Sequence, residues 1–152
     1  MKAQKSFFSF DDYSIEKTEY KFNREVASQY RDELVNFSLN FDPEISIEEI
    51  KEGFIGNIKL KVSVRGKIKN RIVTKMNVYI LGKFSSTSLG EEKFREMCYL
   101  NGIATLFQIS RAVIVSFTSQ TGNTPIIIPL TNIASSIDIE KKKTQNKKFL
   151  KE

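Results

Sequence analysis

The sequence predicts an α+β domain, strands first and helices after, on one change of pattern and one limit of size. From Thr18 to Ile80 apolar residues recur at every second position, the period of a strand with one buried face. Beyond Ser88 they recur at three- and four-residue steps, the period of a helix. A chain of 152 residues suffices for one core but not two, so residues 1–136 are expected to form a single domain.

Residues 1–13 carry Phe7, Phe8, Phe10 and Tyr13 without a clean period, which suits either a flexible arm whose aromatics dock on a partner or a frayed terminus. A first strand follows, Thr18, Tyr20 and Phe22 alternating with Lys17, Glu19 and Lys21. Val35, Phe37, Leu39 and Phe41 mark a second, which Asp42-Pro43 is expected to close. Ile45 and Ile47 keep the alternation, and Gly53 and Gly56 interrupt it where a bulge or bend would sit. Ile58, Leu60, Val62 and Val64 alternate with Lys59, Lys61, Ser63 and Arg65, and Gly66 to Asn70 supplies a turn. Ile72, Thr74, Met76, Val78 and Ile80 then return, so these two strands are expected to pair antiparallel.

Ser88 and Glu91 have the spacing of a capping box, which predicts a helix from about Leu89 to Leu100. Asn101 is placed to cap a second, along which Ile103, Leu106, Phe107, Val113, Ile114 and Phe117 recur until Gly122 offers a C-cap. Its Val113-Ile114-Val115 would suit a strand as well. Thr124 to Leu130, three isoleucines between Pro125 and Pro129, reads as an extended, exposed-edge segment. From Ile137 the chain holds six lysines, three acids and little to bury, so residues 137–152 are expected to be a basic, mobile tail.

The absence of histidine removes the Ser-His-Asp and Cys-His mechanisms and every histidine-ligated metal site. The acidic pairs Asp11-Asp12, Glu48-Glu49 and Glu91-Glu92 are sequence neighbours whose side chains diverge, so they read as solvated charge. No phosphate-binding glycine loop is present. A non-enzymatic protein with no catalytic residue, metal or cofactor is expected. Cys98 reads as a small buried apolar residue, and a single thiol suits a reducing compartment. The longest apolar runs fall far short of the ~20 residues that span a bilayer. No signal-peptide core follows Met1 to Lys5, so a cytoplasmic location without membrane insertion is expected.

Residues 59–83 hold eight Lys or Arg and no acid, and Lys59, Lys61 and Arg65 share one strand face, with Lys75 in the patch on the next. Such a patch suits phosphates or an acidic protein, though single-stranded nucleic acid would want aromatics and only Tyr79 is near. A solvated sheet face that resists edge-to-edge aggregation explains the lysines as well.

The most specific text is Leu100 to Arg111, followed by Ser119 to Thr124, Pro125, Ile126 to Ile128, Pro129 and Asn132. Here the sequence resembles the SecB family of export chaperones, in which a Leu-Phe pair precedes an arginine on the long helix and a proline-bounded apolar stretch ends near an asparagine. Leu106, Phe107 and Arg111, then Pro125, Pro129 and Asn132, occupy the matching places, and Gly82-Lys83-Phe84-Ser85 resembles the family's exit from its third long strand. The resemblance implies a four-stranded antiparallel sheet with two helices packed on one face. It also implies a homotetramer built as a dimer of dimers, holding unfolded or preprotein chains in apolar grooves without ATP. Met76, Val78, Ile80, Phe84, Leu106, Phe107, Ile126 and Ile128 are the groove positions it implies. Burial in the core or in a subunit interface is the alternative for each.

Three departures qualify that likeness. The family's sheet is acidic where it receives the ATPase SecA, whereas this chain has Lys75 and Asn77, and like charges there would repel. Gln108 replaces a helix proline, and the tail is lysine-rich. These count against SecA delivery and suit a chaperone dedicated to one client, such as an antitoxin, at least as well. A nucleic-acid-binding module using strands 59–83 is the reading from another class.

Overall fold

Alternation along four stretches builds one antiparallel sheet: β1 (Ser9–Phe22), β2 (Asn36–Ile50), β3 (Gly53–Ile68) and β4 (Arg71–Ser86), in the spatial order β1-β4-β3-β2. The computed structural model describes residues 6–129 together with Lys2 and Ser135. The expected tail at 137–152 and the motif position Asn132 lie outside the described residues.

The strands β3 and β4 pair from Phe54↔Ser86 to Ile68↔Arg71, as their matched alternation requires. Lys69 and Asn70, both at positive φ, make the two-residue turn whose twist suits a hairpin. At Val73 the chain gains one residue relative to β3, so Val73 turns inward and Ile72 is left 43% exposed, contrary to the simple alternation. Pro43 does not close β2. It sits opposite Leu60 in an edge strand, where a missing N–H breaks no ladder, and the strand runs on to Ile50.

The strand β1 begins at Ser9, not Thr18, so Ser9 to Tyr13 belong to the sheet and not to an arm. Two bulges explain the missing period: Asp11 and Glu16 are extra residues relative to β4. They keep Phe10, Tyr13, Ile15, Thr18 and Tyr20 opposite Phe84, Gly82, Ile80, Val78 and Met76, all on one face. Neither Gly53 nor Gly56 forms a bulge. Gly53 takes φ 138° in the β2–β3 turn, and at Gly56 a Cβ would lie 2.8 Å from Cys98 Sγ, so glycine admits the helix.

A short helix, α1 (Arg24–Gln29), was not anticipated; Asn23 caps it by accepting from the Val26 amide at 3.1 Å. It carries the chain from one sheet edge to the other, over a small cluster of Val26, Ile68 and Val73. The helices α2 (Glu91–Met97) and α3 (Ile103–Ser119) are joined by a π-helical turn, Cys98–Gly102, without a break. Asn101 therefore caps nothing. The Ser88–Glu91 box is also absent, because the cap position is Gly90 and the Ser86 hydroxyl accepts from the Leu89 amide instead.

The continuous helical segment Glu91–Ser119 is long and apolar enough to cross a membrane. In this fold its stripe of Ile103, Leu106, Phe107, Ser110, Ile114 and Thr118 is buried against β3 and β4. The result is an α+β architecture with two helices on one face of a four-stranded antiparallel sheet. The extended segment 124–129 returns along α3, held where Thr118 Oγ1 accepts from the Ile126 amide at 2.9 Å and Arg111 Nε donates to the Ile128 carbonyl at 2.7 Å.

Candidate functional site

One helix is about 10 Å across and strands lie about 4.8 Å apart, so α3 covers roughly two of four strands. It lies over β4 and β3. The inner faces of both edge strands therefore stay partly bare, and they are apolar.

On the β2 side the bare row is Phe37, Leu39, Phe41, Ile45 and Ile47; the first is 50% exposed and the others are half-buried against the core. At strand rise this row is about 34 Å long, the reach of roughly ten extended residues. Phe41 closes its inner wall against Phe107, ring centroids 6.1 Å apart. The opposite margin is a trough of about 560 Å³ lined by Tyr13 of β1 and by Ile109, Ala112, Val113, Ser116 and Phe117 of α3. Tyr13 is 47% and Phe117 40% exposed. The α3 positions step by three and four residues, the spacing of a helix face that packs on another helix. Ala112 and Ser116 are small enough to allow close approach.

The eight groove positions implied by the resemblance are buried within the single chain, and of them Phe107 meets the β2 row through Phe41. Met76, Val78, Ile80, Phe84, Leu106, Phe107, Ile126 and Ile128 are each at most 3% exposed and belong to one core cluster. They are the filling between sheet and helices, because the inner residues of the central strands are the ones α3 covers. Alternation marks the inward face but not the helix's footprint on it. Of the proline-bounded isoleucines, Ile127 alone is exposed.

The outer sheet face carries the basic patch. Lys59 and Lys61 stand opposite Glu44 and Asp42 of β2. Arg65 and Lys75 stand opposite each other, with Lys21 of β1 beside Lys75. In the next row Glu19 accepts from Lys17 at 2.7 Å and from Asn77 at 2.9 Å, and these contacts hold its carboxyl down at about 2. Lys17 and Lys61 both hold their ammonium groups over the Tyr79 ring, 5.6 and 5.4 Å from its centroid.

Cys98 is fully buried and burial pushes its thiol up to about 11, which leaves it unreactive at neutral pH. Among the described residues no three His, Cys, Asp or Glu side chains are grouped to hold a metal ion.

The sequence reading named Phe37, Leu39, Phe41, Ile45 and Ile47 as strand residues without assigning them to a site. Their position on an edge strand is a property of topology. Tyr13 stands among the aromatics expected to dock on a partner from a flexible arm, and the bulges hid its place in β1.

No protein-family model matches the chain. An uncharacterised protein of Methanocaldococcus jannaschii, MJ0357, is 28% identical over 144 residues, covering 93% of this chain and 90% of its own length. Among solved structures, the SecB-like chaperone Rv1957 of Mycobacterium tuberculosis, in complex with a peptide from the HigA1 antitoxin, superposes with a TM-score of 0.54 at 11% identity. That match covers 82% of this chain and 91% of the other, and it establishes a fold-level relation. A protein of unknown function from Streptococcus agalactiae reaches a TM-score of 0.40, too low to bear on the argument.

Proposed function

We propose that this protein is a holding chaperone that binds an extended, apolar segment of another polypeptide along the inner margin of β2, without catalysis and without ATP. The observation that carries the reading is the partly covered row Phe37, Leu39, Phe41, Ile45 and Ile47, an apolar strip half-open to solvent along the edge of a basic, charged protein. Its length suits a chain in extended form. Pro43 interrupts the free edge, so a client is held by side chains more than by a continued β-ladder.

The α3 seam and Tyr13 serve a different purpose in this reading. They join copies of the chain, since a stripe at helical spacing with small residues at its centre fits a second helix better than an extended peptide. This seam joins two copies, and the homotetramer the resemblance implies would add a second contact between such pairs. The SecB-like fold, seen in the neighbour that holds an antitoxin peptide, supports polypeptide holding and favours a single dedicated client as the second reading. Delivery to SecA is left out of the proposal, because Lys75 with Lys21 and Arg65 makes the outer face basic.

Calorimetry with a reduced, unfolded polypeptide tests it. The proposal expects binding that tolerates salt and carries a large negative heat-capacity change. It expects Phe37→Ser/Leu39→Ser to weaken binding by roughly ten- to a hundredfold, from the ~1.5–3 kcal/mol that burying the remaining exposed parts of the two side chains contributes. Binding abolished by salt, or unaffected by those substitutions, would count against it. The seam variant Ala112→Arg/Phe117→Glu should lower the assembly state in sedimentation while leaving the β2 row intact.

A further inference from the structure

On the outer sheet face, register places Lys21, Lys75 and Arg65 in one row across β1, β4 and β3. Neighbouring strands are ~4.8 Å apart, and like charges directly opposite destabilise a sheet. Lys59 and Lys61 have carboxylates across from them, but the position opposite Arg65 on β2 is Ser38. Among the described residues no ion pair engages Lys21, Lys75 or Arg65. The positive charge is thus concentrated at one end of the face.

That end opens into a hollow of about 810 Å³. Lys21, Arg24 and Lys75 stand at it as cations, Glu25 is its acid, and Phe22 and Ile72 give it an apolar component. Ile72 is 43% exposed there because the bulge at Val73 turned it out. Cations around apolar side chains suit a ligand that is anionic and apolar together. A nucleic-acid strand needs a stacking platform, whereas Phe22 is half-buried against the Val26 cluster and the Tyr79 ring already carries Lys17 and Lys61. A longer polyanion crossing the face would also meet Glu19, Asp42 and Glu44. Carboxylates three and four residues apart on a helix are ~5–6 Å from one another, close to the spacing of the cation row.

We propose that this end of the outer face docks an acidic polypeptide segment bearing an apolar anchor, with the carboxylates on Lys21, Lys75 and Arg65 and the anchor on Ile72. The site is on the opposite side of the sheet from the β2 inner row, so the inference does not depend on client holding. An acidic face on the partner would be recognised by charge and fixed by the anchor.

Fluorescence anisotropy with the full chain tests this, using a labelled Asp- and Glu-rich synthetic peptide with one leucine and a single-stranded oligonucleotide of equal charge. The peptide is expected to bind with an affinity that falls as salt rises. Lys21→Glu/Lys75→Glu is expected to weaken it by about tenfold or more, and Ile72→Ser by several-fold, roughly 1 kcal/mol of lost apolar contact. Both variants change exposed or partly exposed side chains, and unaltered thermal melting checks their fold. Failure of the peptide to bind, an oligonucleotide bound as tightly, or an affinity indifferent to Lys21→Glu/Lys75→Glu each overturns the proposal.

Discussion

The Thr118 hydroxyl, fully buried, donates to the Ile114 carbonyl at 2.7 Å and accepts from the Ile126 amide at 2.9 Å. One oxygen thereby ties the returning segment to α3. Thr118→Val keeps the shape but leaves the Ile126 amide unpaired in the core, at a cost of about 1–3 kcal/mol. Chemical denaturation should show that loss, and hydrogen exchange at Ile126 should accelerate before the global transition. Packing is equally strict at Gly82, where a Cβ would lie 2.5 Å from Leu106 Cδ2. Gly82→Ala is expected to destabilise by about 1–3 kcal/mol, read as a lower denaturant midpoint with an unchanged slope. Glu19 gives a pH signature. Its folded pKa of about 2 lies below its ordinary 4.5, so its stabilisation is complete above 4.5 and is lost as pH falls towards 2. The stability difference between the protein and Glu19→Gln should therefore be constant at neutral pH and shrink across that interval.

At the scale of the element, alternation identified β3 and β4 because each packs one face on a helix and turns the other to solvent. The same logic failed for β1, where the extra residues Asp11 and Glu16 shift the phase twice within seven residues and no single period survives. It placed Ile72 inside for the same reason, a bulge at Val73. Pro43 misled because an edge strand tolerates proline, and edge position is invisible until the order of strands is known. The capping signals at Ser88 and Asn101 named residues of the right chemistry, but a π-helical turn let the helix run through the second. The α3 periodicity was legible throughout; what it could not say was which part of the helix surface meets the sheet and which part forms the seam of Ile109, Ala112, Val113, Ser116 and Phe117.

At the scale of the molecule, a helix layer narrower than its sheet leaves two apolar margins on the inner side and a basic end on the outer. The fold class was readable from the order of periods, and the SecB-like arrangement from a few motif residues. The proposed site stands one strand away from the positions the motifs suggested: the central-strand residues Met76, Val78 and Ile80 are core, and the edge-strand row from Phe37 is half-buried to exposed. A motif shared through a fold marks where the core must close as readily as where a ligand sits. The account therefore rests on the β2 margin staying accessible after copies of the chain assemble through α3.

Suppression of aggregation tests that point most directly. The purified full chain, without nucleotide, would be mixed with a denatured client, and light scattering followed for the protein and for Phe37→Ser/Leu39→Ser at matched thermal stability. The account predicts that the unaltered protein keeps the client in solution and that the double variant loses most of this capacity while assembling normally. Equal protection by the two proteins, or no protection by either, would contradict it.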